Sequence, residues 1–276
     1  MKKLGLVMYL LGTFFVLGCD DADDADAETA TGSLTVELWG EHFIEQGIPA
    51  AEFVDGYAIV FDKFLIALDG ITVAKSPGAD PAAAFAPQRI WDLTRQGPFV
   101  VGTAPVSVGA YKNTGYAIRR ATATATAGNA LETDVAFMKQ NQYSVYVTGT
   151  ASKDGQSWSF TYGFATDTIY ESCNSTGAVN ESVGGRIQLT IHGDHFFYDS
   201  AVSETPSLRF DDLVLADAQA NNDLTISADD LVQYPLLPLT HYRVPDDSGI
   251  DNMWQYLTHM TRTLGHIDGE GHCEIR

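Results

Sequence analysis

Between Gln142 and Ala165 the chain reads QYSVYVTGTASKDGQSWSFTYGFA, in which apolar and polar residues alternate, break at Lys153-Asp154-Gly155, and then alternate again. A period of two sends successive side chains to opposite faces of a strand, and Asp-Gly tolerates the positive φ angles of a tight reversal, so this stretch predicts an antiparallel hairpin. Further strand-like stretches are Ser33 to Trp39, Tyr57 to Leu68, Ile71 to Ala74, Arg89 to Leu93, Phe99 to Val101, Pro105 to Val108, Gly115 to Thr122 and Arg186 to His192. Asp69-Gly70, between two of them, reads as a second hairpin turn. In the last stretch Ile187, Leu189 and Ile191 share one face, and Gln188, Thr190 and His192 the other. Strands at this spacing point to an antiparallel sandwich or barrel.

The texture changes after about residue 200. Thr205 to Ala218 and Ser227 to Gln233 lack strand alternation, and Ile250 to Leu264 places Met253, Trp254, Leu257, Met260 and Leu264 on one helical stripe. The fold class expected is α+β: a mainly antiparallel β-sandwich over residues 33–200, and a helical C-terminal segment over 201–276 packed on its end or face.

The N-terminal residues carry an address. Lys2-Lys3, an apolar run from Leu4 to Leu17 and the closing Val16-Leu17-Gly18-Cys19 resemble the signal peptide of a bacterial lipoprotein. The resemblance implies that residues 1–18 are removed and that Cys19 takes a diacylglycerol and an acyl chain, enough to hold the protein on a membrane at the periplasmic or cell-surface side. Residues 19–32, which hold DDADDADAETATG after the cysteine, have no apolar period and read as an acidic, solvated tether. Loss of the two lysines would take the net charge from −20 to −22, which disfavours nucleic acid and anionic lipid surfaces and suits cationic ligands, metal ions included. With Cys19 spent on lipid, Cys173 and Cys273 are the only thiols left, and an oxidising compartment predicts that they pair.

Two stretches suggest ligands for ions. Four of the seven histidines fall in His192-Gly193-Asp194-His195 and in Gly265 to His272, so His192, Asp194, His195, His266, Asp268 and His272 form a candidate copper or zinc set. Gln219 to Asp230 has the outline of an EF-hand loop, with Asn221, Asp223, Thr225, Ser227 and Asp230 at oxygen-ligand positions for calcium. Gln219 stands where aspartate opens such a loop and Leu224 where glycine turns it. The alternative is an ordinary connection in which Ser227 caps a helix with Asp230 as its partner.

Residues 57–122 carry VFDKFLIALDGITVA, RIWDLT and APVSVGAYKNTGYAI. Together these resemble the copper-binding, methanobactin-associated periplasmic lipoproteins and their β-sandwich relatives, on the pattern formed by Val106, Val108, Gly109 and Tyr111. The resemblance implies copper binding, with His192 as a ligand. No HExxH helix, GxSxG elbow or phosphate-cradling glycine loop is present, and no catalytic residue is assigned. The reading is a lipid-anchored extracytoplasmic binding protein holding copper or zinc, with calcium as a structural ion. The alternatives are a non-catalytic surface lipoprotein with a protein or glycan partner and, third, a metal-dependent hydrolase.

Overall fold

The computed structural model describes residues 30–236, 239–246 and 248–276. Residues 1–18, the lipidation candidate Cys19 and the tether up to residue 29 lie outside the described residues.

The first half of the chain builds β1 (Thr31–Trp39), α1 (Glu41–Gln46), β2 (Ala58–Ala74), β3 (Ala83–Phe85), β4 (Arg89–Asp92), β5 (Phe99–Ser107), β6 (Gly109–Tyr111) and β7 (Asn113–Ile118). Then come β8 (Thr126–Ala127), α2 (Glu132–Asn141), β9 (Val145–Lys153), β10 (Gln156–Phe164), β11 (Thr168–Cys173), β12 (Gly177–Val179) and β13 (Gly185–Ile191). The last part holds α3 (Asp211–Ala220), β14 (Thr225–Ser227), α4 (Ala228–Gln233), α5 (Met253–Met260), β15 (Gly265–Ile267) and β16 (Glu274–Ile275). The fold is a β-sandwich of the α+β kind, rich in antiparallel pairs.

One sheet runs β15-β13-β1-β5, and a larger one runs β14-β10-β9-β2-β7-β11-β16 with β3, β4 and β8 beside β2. Leu34, Val36 and Leu38 of β1 and Ile187, Leu189 and Ile191 of β13 are all fully buried in the core between the layers. They meet an aromatic layer from the larger sheet that includes Phe64, Tyr116, Phe160, Tyr162, Phe164 and Tyr170. Burial of this kind removes about 25 cal/mol per Å² of apolar surface from water and dominates the stability of such a sandwich.

Several expected elements take a different form. Asp69-Gly70 does not reverse the chain: β2 continues through it, with a register shift against β7 between Asp69 and Thr72. An extra residue in one strand bends it and leaves it in the sheet, and Gly70 at φ +60 supplies the local conformation. Residues 64–68 of β2 are buried on both faces, because Val135 and Met138 of α2 cover Leu65 and Ala67 from outside. Phe99 to Val101 and Pro105 to Val108 are parts of the single strand β5, and β1 begins at Thr31, so the last residues assigned to the tether pair with β5. The 142–165 hairpin forms as expected, its reversal confined to Asp154 and Gly155 at φ +51 and +81.

The C-terminal residues 201–276 mix helices with strands. β14 adds to the larger sheet parallel to β10, β15 closes the smaller sheet beside β13, and β16 closes the larger one beside β11. The tail therefore caps both edges of the larger sheet and one edge of the smaller, covering strand edges that would otherwise lie open. Trp254 of α5 lies flat on Phe164 with ring centroids 4.8 Å apart, joining the helical part to the sandwich.

Candidate metal centre

β13 and β15 pair antiparallel with Thr190 opposite His266 and Ile191 opposite Gly265, and the ladder extends through His192 N–H to Leu264 O at 2.9 Å. Residues on one face at diagonal positions of such a pair are neighbours. His192 and His266 hold those positions, and their ring centroids lie 4.5 Å apart. The polar face of β13 is thus covered. Thr190 is fully buried, and His192 is only 5 % exposed. Gly265 is what lets β15 sit so deep: a Cβ there would lie 2.6 Å from Cζ of Tyr170. Tyr170 stacks on Tyr116 at 4.6 Å behind the site, and the Tyr116 hydroxyl donates to His266 O at 3.0 Å.

After β13 the chain turns at Gly193 into a 3₁₀ turn, Asp194–Phe197, which drives Phe196 and Phe197 into the core. The same turn folds His195 back over His192, with ring centroids 5.0 Å apart, and places it 5.2 Å from His266. Nδ1 of His195 lies 2.7 Å from the carbonyl of Thr263, so it donates there and leaves Nε2 as the bare nitrogen. A backbone carbonyl that fixes the tautomer in this way is the usual support of a metal-bound histidine. Asp194, also buried, accepts from the Tyr198 hydroxyl at 3.1 Å.

Two acids complete the surround. Glu41 follows β1 in the left-handed region at φ +55, a conformation that costs free energy for a side chain of this kind, and its Oε2 lies 3.3 Å from His192 Nδ1. Glu270 Oε1 is 3.9 Å from the same nitrogen. Glu270 lies within the second histidine segment, whereas Glu41 had no local signal, being one acid among many that reaches His192 because β1 runs parallel beside β13 with Trp39 opposite Thr190. His192 Nε2 and His266 Nδ1 are buried and have no hydrogen-bond partner.

Burial, reinforced by the neighbouring rings His192 and His266, pushes His195 down to about 3. Burial and His192 likewise lower His266 to about 4. Both rings are neutral at pH 7, the protonation state a metal needs. Burial raises Glu41 and Asp194, each opposed by attraction to His192. Carboxylates held against their desolvation cost in this way gain from a cation placed among them. A cavity of about 210 Å³, lined among others by His195, Tyr198, Met260, His266, His272 and Cys273, opens beside the rings.

Of the six residues expected to bind copper or zinc, His192, Asp194, His195 and His266 come together. His272 is exposed at the rim, its ring 6.1 Å from that of His266. Asp268 does other work: its carboxylate accepts from Thr176 N–H and Oγ1 and from Gln188 N–H, pinning the loop after β15 to β13. Cys173 and Cys273 are joined, with Cα atoms 4.0 Å apart, closer than the 4.4 to 6.8 Å common for such bridges. The bridge anchors the residue after His272 to β11, while the strand pairing itself seats His266 against His192.

In the EF-like stretch the oxygens are turned inward. Asn221 accepts from Asp223 N–H, Asp223 accepts from Thr225 N–H, and Ser227 with Asp230 forms a reciprocal cap on α4. Thr225 to Ser227 is strand β14, and Ile226 is buried opposite Phe160. Asp217, which the sequence pattern overlooked, is fully buried and accepts from Asp223 N–H at 3.1 Å and Leu224 N–H at 3.3 Å. Each of these side-chain oxygens thus already accepts from the protein's own N–H groups.

Comparison of the chain with known protein families, with curated proteins and with solved structures finds no match.

Proposed function

We propose that the protein is a lipid-anchored, extracytoplasmic metal-binding protein whose ligand is copper or zinc, held by His192, His195 and His266 with carboxylates around them. The observation that carries this reading is the pair of buried, unpartnered nitrogens, His192 Nε2 and His266 Nδ1, on rings 4.5 Å apart. An orphaned buried polar atom costs about 1–3 kcal/mol, and metal coordination would relieve that cost at each nitrogen. Imidazole with carboxylate is a donor set suited to zinc and copper, whereas magnesium and calcium prefer oxygen alone. Metal-free protein titrated with Cu(II) or Zn(II) is expected to bind stoichiometrically, with metal affinity falling at least 100-fold in His192→Phe and His266→Phe. Elemental analysis and competition with a chromogenic chelator measure this. Absence of stoichiometric metal in both titrations would overturn the reading and favour a surface protein with a protein or glycan partner.

The anchor is a separate proposal, supported by the apolar run that ends at Cys19. Cys19→Ser is expected to lose membrane association on fractionation or to keep its first 18 residues uncleaved. Unchanged processing and unchanged membrane binding would refute it.

A further inference from the structure

The ligating groups around His192 fall into two sets. In one, donor atoms of His192, His266 and Glu270 lie within 4.8 Å of one another, and in the other those of His192, Asp194 and His195 do. His192 alone belongs to both. Its ring is 5 % exposed, with Nδ1 facing the carboxylates of Glu41 and Glu270 at 3.3 and 3.9 Å and Nε2 buried without a partner. The Nδ1 edge of the ring is thus set for a cation, and the Nε2 edge has an unfilled ligand position. We propose that His192 is shared by two adjoining metal half-sites, Nδ1 serving one ion with His266, Glu270 and Glu41, and Nε2 serving another with Asp194 and His195.

This inference rests on the metal reading above and extends it from one ion to two. Charge supports the larger number. Among the described residues, neither Glu41, Glu270 nor Asp194 pairs with a lysine or arginine, so three carboxylates gather at one end of the sandwich with only imidazoles between them. One divalent ion would leave that cluster negative. Two would balance the three carboxylates together with a bridging imidazolate, formed when the second ion displaces the remaining N–H proton of His192 to solvent. The half-sites also differ in access: Glu270 is 82 % exposed, whereas His192, Asp194 and His195 are all buried. The ion on the Glu270 side should therefore exchange first.

The test is Cu(II) loading of the full, metal-stripped chain, followed by elemental analysis and electron paramagnetic resonance. The expected result is two ions per chain, with the resonance weakened by coupling through the shared ring. Glu270→Gln, at an exposed position that does not threaten folding, is expected to keep one ion, as is Asp194→Asn, with the isolated-copper signal restored in each. His192→Phe should keep neither. One ion per chain in the unaltered protein, or loss of the same single ion in both carboxylate variants, would overturn the two-ion proposal and leave the metal reading standing. No bound ion would overturn both.

Discussion

Replacing both Cys173 and Cys273 with alanine is expected to destabilise the protein by about 4 kcal/mol, measured by denaturant unfolding against the oxidised parent. The bridge closes a separation of 100 residues, for which loop-closure entropy gives roughly 4–5 kcal/mol. For a domain of this size each kcal/mol shifts the melting temperature by about 2–4 °C, so a loss near 10 °C should be visible. The structure places the cost: the chain end pairs with β11 only through Tyr170↔Ile275, Glu171↔Glu274 and two backbone bonds between Ile169 and Arg276, too short a ladder to hold it by itself. Alanine is the right replacement because Cys173 is fully buried and a serine hydroxyl there would add a desolvation cost of its own. A loss below about 1 kcal/mol would show that the unfolded chain is already restrained by other means.

The second large effect is a loss of stability in acid by the metal-free protein. Folding depresses His195 to about 3 and His266 to about 4, while an unfolded histidine titrates near 6.5. Between those values the unfolded chain binds more protons than the native one, so stability falls as the pH drops from about 6.5 toward 4. It is fully present above 6.5. The rings crowd each other, so their penalties do not add, and the expected loss from pH 7 to pH 4 is about 3 kcal/mol. Glu41 and Asp194 act in the opposite sense, because each is raised in the folded state and gains stability as it protonates. Glu270 also faces the cluster. Comparing the parent with His195→Asn/His266→Asn in the presence of chelator isolates the histidine contribution. Parallel pH curves for the two proteins would refute it.

Local chemistry was enough for some of this molecule. The hairpin at 142–165 was legible because alternation and Asp-Gly act over a few neighbouring residues, and the stripe at Met253, Leu257 and Met260 because a helix repeats over one or two turns. The disulfide partners followed from cysteine count once a compartment was assumed. The helix Glu132–Asn141 was missed because it buries only Val135 and Met138, too few apolar positions to mark a face. Asp69-Gly70 misled because the same dipeptide suits a reversal and a bulge, and only the neighbouring strand decides between them.

The histidine segments were visible in sequence as clusters of metal-ligand type, but their composition did not reveal which members would meet. That depended on β15 pairing with β13 in one register out of several, chosen because it buries Leu264 and Ile267 while Gly265 clears Tyr170. A shift by one residue would have turned His266 to the other face. Glu41 reaches His192 only because β1 and β13 lie side by side in parallel, an arrangement set by the burial of Leu34, Val36 and Leu38 against the opposite sheet. Sequence by itself determined the β-rich character of the chain, the 142–165 hairpin, the cysteine pair and the kinds of side chain available as ligands. Tertiary structure alone decided which ligands converge and which, like Asp268, are consumed by the backbone, because those outcomes minimise the free energy of the whole core and no short stretch of residues encodes them.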